Sequence, residues 1–402
     1  MFDILEMAPP DAILGLTEAF KSDSNPDKVN LSVGVYKDAA GGTPILECVK
    51  ASERQILESE ESKTYVNPNS GTPQYTQAVR ALLFGKDHDL VDGGRAITAH
   101  TPGGTGALRV AGDYLHLLHG GATLWLSNPT WANHAGVFKA AGMQTNTYPY
   151  FDATSNVITV EKMIDKIKTI PSGDVVLLHG CCHNPTGADL TLQQWTTVAE
   201  TLKARQLVPL IDFAYQGFAV GIEEDAAGLR IVCELCPEVM ICSSFSKNFG
   251  LYNERVGALT VVAESSATAA KVLSHIKRCI RTNYSNPPAH GSAIVSTVLG
   301  DCQLRQQWIQ EVEQMRNRIN TTRQQFADSL TNAGVNLSNQ GNAFITQQNG
   351  MFSFSGLSKD QVGALRERYA VYVVGDGRIN VAGLTEANIP FVSNAIAQVV
   401  GA

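Results

Sequence analysis

The chain has 402 residues, of which 44% are hydrophobic and 17% are charged, and its formal net charge is −7 at pH 7. The length predicts two or three domains, and the composition is typical of a globular protein. The acidic balance argues against nucleic acid or an anionic membrane as the main partner.

Two features predict a cytoplasmic location. The first residues carry acidic side chains where a signal peptide needs basic ones, and no stretch reaches the roughly 18 apolar residues of a membrane span. The eight cysteines form no spaced disulfide framework. Cys233 and Cys236 lack the second pair that a zinc site would need, so we expect eight buried free thiols and no metal site.

The predicted elements begin after an N-terminal arm. Pro9 and Pro10 stop regular structure, and Asp11 then caps a short helix. Residues 29–36 resemble a strand that Gly34 interrupts, and a glycine there allows the backbone to approach a ligand closely. Two helices follow, at 47–60 and 73–84, with a loop at 65–71 between them.

A glycine-rich turn at 101–106 leads directly into a predicted helix at 107–118. Such a turn offers free backbone N–H groups to an anion at the start of the helix. Its spacing matches neither the Walker motif nor the dinucleotide fingerprint.

Four short apolar runs each stop at polar residues, and helical patterns such as 192–204 separate them. The runs are 122–127, 174–179, 207–211 and the one that begins at residue 240. This pattern is typical of a mostly parallel sheet that is covered on both faces, in which ligands bind beyond the carboxyl ends of the strands. Six candidate site residues fall at that edge: Trp131, Asn184, Asp212, Tyr215, Ser244 and Lys247.

Beyond residue 300 the pattern predicts one long helix at 304–330 and then a smaller α+β segment. Its strands are predicted at 350–354, 372–374 and 379–381, and a final helix begins near residue 386. Arg378 directly precedes the third of these strands, and a buried arginine there would need an anionic partner.

Lys247 follows an apolar run and stands among hydroxyl side chains, with Arg255 eight residues later. A lysine at the mouth of a buried strand loses part of its solvation, which lowers its pKa and makes its amine nucleophilic. Hydroxyls and a guanidinium make a seat for phosphate. A lysine that forms a Schiff base beside a phosphate seat predicts pyridoxal phosphate as the cofactor.

Nine motifs make the sequence similar to class I aminotransferases of the aspartate/aromatic branch, which are pyridoxal-phosphate enzymes of fold type I. They cover nearly the whole chain: VGVYKD (33–38), TPGGTGALR (101–109), SNPTWANH (127–134), HGCCHNPTG (179–187), DFAYQGF (212–218), SKNFGLYNERVG (246–257), YSNPP (284–288), NGMFSFSGL (349–357) and GRINVAGL (377–384). The resemblance implies an α/β fold in which a large domain has a mostly parallel seven-stranded sheet between helices. We expect residues 1–44 to form the arm and the first part of a small α+β domain, 45–315 the large domain, and 316–402 the rest of the small domain.

The same resemblance implies a role for each matching residue. Lys247 would form the Schiff base and later move the proton, Asp212 would pair with the pyridine nitrogen, and Tyr215 and Asn184 would bind the phenolic oxygen. Trp131 would stack on the ring and also contact the substrate. The phosphate would be held by Gly104, Thr105, Ser244, Ser246, Arg255 and, from the partner subunit of a homodimer, Tyr65. His134 and His179 would stand behind Asp212.

Substrate binding would depend on two arginines. The resemblance implies that Arg378 binds the α-carboxylate, with Gly34 and Asn184 completing that pocket, and that Arg281 of the partner subunit meets a side-chain carboxylate. The reaction would be a ping-pong transfer of an amino group from an amino acid to a 2-oxo acid.

The motifs leave the substrate range open. VGVYKD, Thr43, Thr105 and Asn286 resemble the aspartate type, whereas 186–191 and 202–209 resemble the aromatic type, and Thr64 stands where the aspartate type usually has asparagine. We therefore expect an enzyme that uses aspartate or glutamate together with aromatic amino acids. The alternatives are a strict aspartate aminotransferase, another pyridoxal-phosphate activity such as a carbon–sulfur lyase or decarboxylase, and a non-enzymatic phosphate-binding protein.

Overall fold

The computed structural model of the protein describes residues 2–7, 14–118, 120–339 and 341–401. Pro9, Pro10 and Asp11, which the sequence analysis assigned to the end of the arm and to a helix cap, lie outside the described residues.

Helices account for most of the regular structure in the described residues. They are α1 (Leu14–Ser22), α2 (Glu47–Ser59), α3 (Pro73–Phe84), α4 (Asp89–Asp92), α5 (Gly103–Leu118), α6 (His134–Ala140), α7 (Val160–Ile167), α8 (Leu192–Ala204), α9 (Ala227–Leu235), α10 (Ser266–Asn283), α11 (Ala289–Gly300), α12 (Cys302–Asn332), α13 (Phe344–Gln347), α14 (Lys359–Tyr369) and α15 (Ile389–Val400).

The strands are shorter. They are β1 (Val29–Asn30), β2 (Ala96–Pro102), β3 (Thr123–Asn128), β4 (Gln144–Pro149), β5 (Phe151–Asp152), β6 (Val157–Ile158), β7 (Val175–His179), β8 (Val208–Phe213), β9 (Val239–Ser244), β10 (Val256–Val262), β11 (Phe352–Phe354), β12 (Val371–Tyr372) and β13 (Arg378–Asn380).

Seven of these strands form one large sheet in the order β2-β10-β9-β8-β7-β3-β4. Five consecutive strands of this sheet are parallel to one another: β4, β3, β7, β8 and β9. Within the sheet, β10 runs antiparallel to both of its neighbours, β2 and β9. This confirms the predicted α/β architecture with its mostly parallel seven-stranded sheet. Because β7, β8 and β9 are parallel, their carboxyl ends meet at one edge.

The apolar runs are continuous because each strand buries both of its faces. Val175 and Leu177 of β7 belong to one hydrophobic cluster, with α5, α6 and α10, whereas Val176 and Leu178 belong to another, with α2, α3, α8 and α9. Successive side chains of a strand point to opposite faces, so a sheet between two helical layers needs apolar residues at every position.

The predicted helices at 47–60, 73–84 and 192–204 match α2, α3 and α8, and the long helix matches α12. The prediction for 107–118 was too short, because α5 already begins at Gly103 within the glycine-rich turn. Arg378 is the first residue of β13 rather than the residue before it, and the last helix begins at Ile389.

The predicted strand at 29–36 was wrong beyond its first two residues, since only β1 pairs, with β12. Leu31 O still accepts the backbone N–H of Asn380, but the carbonyl groups of Ser32, Val33 and Val35 are bound by side chains instead of by a neighbouring strand. Arg378 Nη2 donates to Ser32 O at 2.6 Å, and Asn380 Nδ2 donates to Val33 O at 2.6 Å and to Val35 O at 3.0 Å. These bonds satisfy the backbone in an irregular path that leads past Gly34.

A third hydrophobic cluster joins Val29 and Leu31 to the C-terminal part of α12 and to the elements after it. Arg318 of α12 also connects the N-terminal segment to the segment after β13. Its guanidinium donates to the carbonyl groups of Asp38, Ala382 and Leu384. The domain bounds of the sequence analysis stay a prediction.

All eight cysteines are free, and seven are buried. Cys302, at the first position of α12, is exposed, so the expectation that all eight are buried was wrong for this residue. Across the described ranges, no cluster of three or more His, Cys, Asp or Glu side chains is arranged to hold a metal ion. No helix among the described residues is long and apolar enough to cross a membrane.

Candidate active site

A cavity of about 210 Å³ opens beyond the carboxyl ends of the parallel strands. All six residues that the sequence analysis placed at this edge contribute to its wall. The complete lining is Gly34, Gly104, Thr105, Leu108, Trp131, Asn184, Asp212, Ala214, Tyr215, Ser244, Ser246, Lys247, Tyr252, Arg255, Phe352 and Arg378.

Asp212 stands near the end of β8, and its side chain is 12% exposed. Its Oδ2 lies 3.0 Å from Nε2 of His134, which is itself fully buried. Burial by itself would raise the pKa of Asp212, but the hydrogen bond from His134 and the charges of neighbouring groups, Lys247 among them, outweigh burial and lower it. Asp212 is therefore a carboxylate that stays ionised at the cavity wall.

His134 and His179 lie behind Asp212, as expected. Thr130 connects them, since its Oγ1 is 2.8 Å from His134 Nδ1 and 3.2 Å from His179 Nε2. Burial lowers the pKa of His179 to about 3, and the neighbouring His134 adds to this. His179 is therefore neutral, and its Nδ1 accepts the backbone N–H of Asn184 at 3.4 Å.

Lys247 follows β9 and is partly buried at the cavity wall. Its Nζ lies 5.0 Å from the centre of the Tyr215 ring. Burial lowers the pKa of Lys247 to about 8; the charge of Asp212 opposes this effect, while those of Arg255 and Arg378 add to it. The amine is therefore partly neutral near neutral pH, which makes it a nucleophile.

The start of α5 and Arg255 form a cationic end of the cavity. Gly103 has φ +77°, and a Cβ on it would lie 2.4 Å from Nη2 of Arg255. Only glycine therefore lets the guanidinium lie against the first turn of α5, whose N–H groups have no partner within the helix. Arg255 Nη1 also donates to Ser246 Oγ at 3.3 Å, and Ser246 Oγ accepts a bond from Ser244 at 3.2 Å. Such a cluster of donors is suited to a phosphate group.

Arg378 lies at the opposite end of the cavity and is only 4% exposed. Its Nη1 donates to Asn184 Oδ1 at 3.2 Å, and its guanidinium lies 4.3 Å from the centre of the Phe352 ring. Its Nε has no partner, and among the described residues no carboxylate lies within 4.0 Å of the guanidinium. A buried cation without a counter-ion is expected only where a ligand supplies the negative charge.

Gly34 is needed for close packing at this end, because a Cβ on it would lie 2.7 Å from Cζ of Phe352. The ring of Phe352 also meets that of Tyr215 edge-on, with centroids 6.1 Å apart. Phe352 therefore supports the guanidinium of Arg378 and the cavity wall together.

Two predicted site residues, Tyr65 and Arg281, do not line this cavity. Tyr65 is 84% exposed, and Arg281 is exposed in the last turn of α10, where its Nη1 donates to Ser285 Oγ. The loop of Tyr65 and α10 lie side by side, because Asn69 Nδ2 donates to Lys277 O at 3.1 Å. Both side chains are exposed outside the cavity.

Sequence reasoning missed several residues of the wall and of its support. Tyr252 and Phe352 lie inside quoted motifs, but nothing in their spacing distinguishes them from core aromatic residues. Thr130 also lies inside a motif, and only its two contacts to buried histidines reveal its place. Leu108 and Ala214 carry no sequence signal beyond their positions next to Thr105 and Tyr215.

Comparison with known proteins agrees with this geometry. The sequence matches the family described as aminotransferase class I and II over residues 26–396. It is 49% identical to the aspartate aminotransferase of Escherichia coli (strain K12), covering 99% of this chain and 100% of that protein. It is 46% identical to an aromatic-amino-acid aminotransferase of Pseudomonas aeruginosa, covering 97% of both proteins.

Among solved structures, an aromatic-amino-acid aminotransferase from Burkholderia pseudomallei, covalently bound to pyridoxal phosphate, superimposes with a TM-score of 0.95. The two chains are 46% identical, and the match covers 99% of each. The fold, the cavity and these full-length matches lead to the same conclusion: the chain belongs to the class I and II aminotransferase family, as a pyridoxal-phosphate-dependent aminotransferase of fold type I.

Proposed function

We propose that this cavity is the active site, and that Lys247, Asp212 and Tyr215 are its catalytic residues. The observation that carries the proposal is one cavity lined by an amine whose pKa is lowered, an ionised carboxylate and a buried arginine that has no counter-ion among the described residues. These are the groups that a reaction at the α-carbon of an amino acid needs.

The residues present fit pyridoxal phosphate at two separate points. The guanidinium of Arg255 donates only to Ser246 and Tyr252 O among the described residues, so its charge is available to the cofactor's phosphate. We assign that phosphate to Gly104, Thr105, Ser244, Ser246 and Arg255. Asp212 still exposes part of its carboxylate to the cavity and is assigned to the pyridine nitrogen.

The remaining cofactor contacts follow from the lining of the cavity. Asn184 and Tyr215 would hold the phenolic oxygen, and Trp131 would cover the ring. When bound, the cofactor supplies an electron sink that stabilises negative charge at the substrate's α-carbon.

Lys247 would act twice on the reacting atoms. Its amine would hold the cofactor, and the amine would be free again once substrate is bound. The freed Nζ accepts the proton from the α-carbon, which a pKa near 8 allows at neutral pH. The half-reaction with a 2-oxo acid uses the same groups in the opposite direction.

Arg378 would bind the α-carboxylate of both substrates through a bidentate pair, with Gly34 and Asn184 beside it. Trp131 would contact the substrate as well. This arrangement orients the α-carbon towards Lys247 and excludes water from the guanidinium.

We propose a substrate range that includes aspartate, glutamate and the aromatic amino acids. Its support is the nearly equal identity to an aspartate and to an aromatic-amino-acid aminotransferase, together with the mixed motifs of both types. A strict aspartate aminotransferase remains the second candidate, favoured by VGVYKD, Thr105 and Asn286.

We further propose a homodimer in which Tyr65 reaches the partner's phosphate and Arg281 meets the side-chain carboxylate of its substrate. The support is that both side chains are exposed and lie outside their own cavity, and that a hydrogen bond from Asn69 joins the loop after Tyr65 to α10. We also propose a cytoplasmic location, which the eight free thiols favour and which cell fractionation would test.

The visible absorption of the purified protein tests the proposed function. L-aspartate and L-phenylalanine are added separately, without any 2-oxo acid, and each should abolish the visible band of the bound cofactor. The band should return when a 2-oxo acid follows, which a lyase would not require. Loss of the band with aspartate alone would establish the strict aspartate enzyme, and absence of any band after cofactor addition would contradict the assignment of the site.

A further inference from the structure

Asp189 lies outside the cavity but closes the loop that carries Asn184. This loop connects β7 to α8, and the carboxylate of Asp189 accepts two of its backbone N–H groups. Its Oδ2 accepts from Cys182 at 2.8 Å, and its Oδ1 accepts from His183 at 2.9 Å. Two short bonds to consecutive residues hold the backbone immediately before Asn184 in one path.

A third bond connects the same carboxylate to a distant part of the chain. Asn349, between α13 and β11, donates from Nδ2 to Asp189 Oδ2 at 3.0 Å, and its backbone N–H donates to Gly187 O at 2.7 Å. All three partners of Asp189 are N–H donors, so both oxygens act as acceptors, as an ionised carboxylate requires.

The two segments pack too closely for side chains at the contact. Gly187 has φ +69°, and a Cβ on it would lie 2.7 Å from Phe352 O. Gly350 has φ +74°, and a Cβ on it would lie 2.5 Å from Cβ of Cys182. A shift of either segment would therefore move the other.

Arg323 of α12 supports the far side of this contact. It is 1% exposed, and its guanidinium donates to the carbonyl groups of Ile345, Asn349, Gly350 and Phe352. Within the described part of the chain no carboxylate contacts this buried charge directly, and Asp189 is a nearby opposite charge. The segment around Asn349 is thus held between a cation and an anion.

We propose that Asp189 is a positioning residue that fixes Asn184 on one side and, through Asn349, the strand that supports Arg378 on the other. β11 connects Asn349 to Arg378, because this strand follows Asn349, pairs with β13 and places Phe352 against the guanidinium of Arg378. The inference rests on the proposed roles of Asn184 and Arg378.

The test compares Asp189→Asn with Asp174→Asn. Asp174 is the control because its carboxylate also accepts N–H bonds through both oxygens, two against the three of Asp189: from Thr123 N at 2.9 Å and from Trp125 Nε1 at 2.8 Å. It stands before β7, at the opposite edge of the sheet. Asn349→Ala is a third variant, which removes only the link to β11. Each variant is loaded with cofactor and its melting temperature is measured first.

Two further measurements do not depend on turnover. The first is calorimetric binding of succinate and of 3-phenylpropionate, which are carboxylates without an amino group. The second is the pH midpoint of the visible band of the bound cofactor. Asp189→Asn should weaken binding of the carboxylates roughly tenfold and shift the midpoint, whereas Asp174→Asn should lower only the melting temperature. Asn349→Ala should weaken carboxylate binding and leave the midpoint unchanged.

The inference is overturned if Asp189→Asn changes no more than the melting temperature, as Asp174→Asn does, or if both variants shift the midpoint equally. That failure would leave the proposed function intact as long as the wild-type protein shows the cofactor band and loses it on adding amino acid. If the wild-type protein shows no band, the proposed function fails before the role of Asp189 is reached.

Discussion

Lys247 acquires its chemistry from its surroundings rather than from its own side chain. Burial removes part of the water that stabilises the ammonium form, and this lowers its pKa from 10.5 to about 8. The charges of Arg255 and Arg378 add to the lowering of this pKa, whereas the charge of Asp212 opposes it. The cavity thus holds the amine in a range where both of its forms are accessible.

A pH series of cofactor attachment tests this environment. The apoprotein is mixed briefly with pyridoxal phosphate and reduced with borohydride, and peptide mass spectrometry measures the pyridoxyl group on Lys247. Because the neutral amine reacts, labelling should rise with pH and reach half its maximum near pH 8, well below the roughly 10.4 of an ordinary lysine.

The variant Asp212→Asn tests the direction in which a neighbouring charge moves the pKa of Lys247. It removes a negative charge that raises the pKa of Lys247, so the midpoint of labelling should move to lower pH. A midpoint that moves upward would contradict this electrostatic account, and labelling that is confined to other lysines would remove Lys247 from the site.

At the scale of elements, the site depends on where strands end and where one helix begins. β7, β8 and β9 deliver Asn184, Asp212 and Lys247 to the same edge because they are parallel neighbours. The helix α5 faces them with its N-terminus, where unpaired N–H groups and the helix dipole favour an anion.

The variant Gly103→Ala tests this helix start. The added methyl group would meet the guanidinium of Arg255, so the affinity for pyridoxal phosphate should fall by at least about tenfold, as equilibrium dialysis can measure. Gly85→Ala is the control, because Gly85 also has a positive φ, of +94°, and no atom of the described residues lies within 4 Å of the added Cβ.

Both variants place alanine at a positive φ that alanine rarely adopts, and each should lose about 1–3 kcal/mol of stability. Only Gly103→Ala should lose cofactor affinity. An equal loss in both variants would show that backbone strain, and not the position of Arg255, decides phosphate binding.

At the scale of the whole molecule, one chain lines the cavity described above, and Tyr65 and Arg281 lie on its outer surface. The proposed homodimer would bring these side chains to the partner's cavity. Two cavities would then each depend on both chains, and neither would bind an acidic substrate fully without its neighbour.

Mixing two defective variants tests this arrangement. Lys247→Ala and Arg281→Leu are each expected to lose aspartate turnover and are then unfolded together and refolded as a mixture. If the site is shared, each mixed dimer has one site with both residues intact, and about a quarter of the wild-type aspartate activity should return.

No recovery in the mixture would mean that Arg281 serves its own chain, whereas full aspartate turnover by Arg281→Leu alone would mean that Arg281 plays no part with aspartate. Refolded Lys247→Ala alone and Arg281→Leu alone are the controls, and a mixture of wild-type protein with itself sets the full value. Size-exclusion chromatography with light scattering confirms that the refolded species are dimers.

The sequence by itself determined the class of fold, several of the helices and, together with its resemblance to a known family, most of the residues of the cavity. Apolar runs and helical periods reflect which residues are buried, and this is a local property that the chain carries at each position. The polar residues after β7, β8 and β9 could be assigned to one edge for the same reason, since parallel strands must end together.

Only the tertiary structure decided how the ends of the cavity are supported. The path of residues 32–35 depends on bonds from Arg378 and Asn380, and the loop of Asn184 depends on Asp189 and on Asn349, 160 residues further along the chain. No local pattern predicts such pairs, because a hydrogen bond between distant segments forms only where the packing of the intervening elements brings donor and acceptor together.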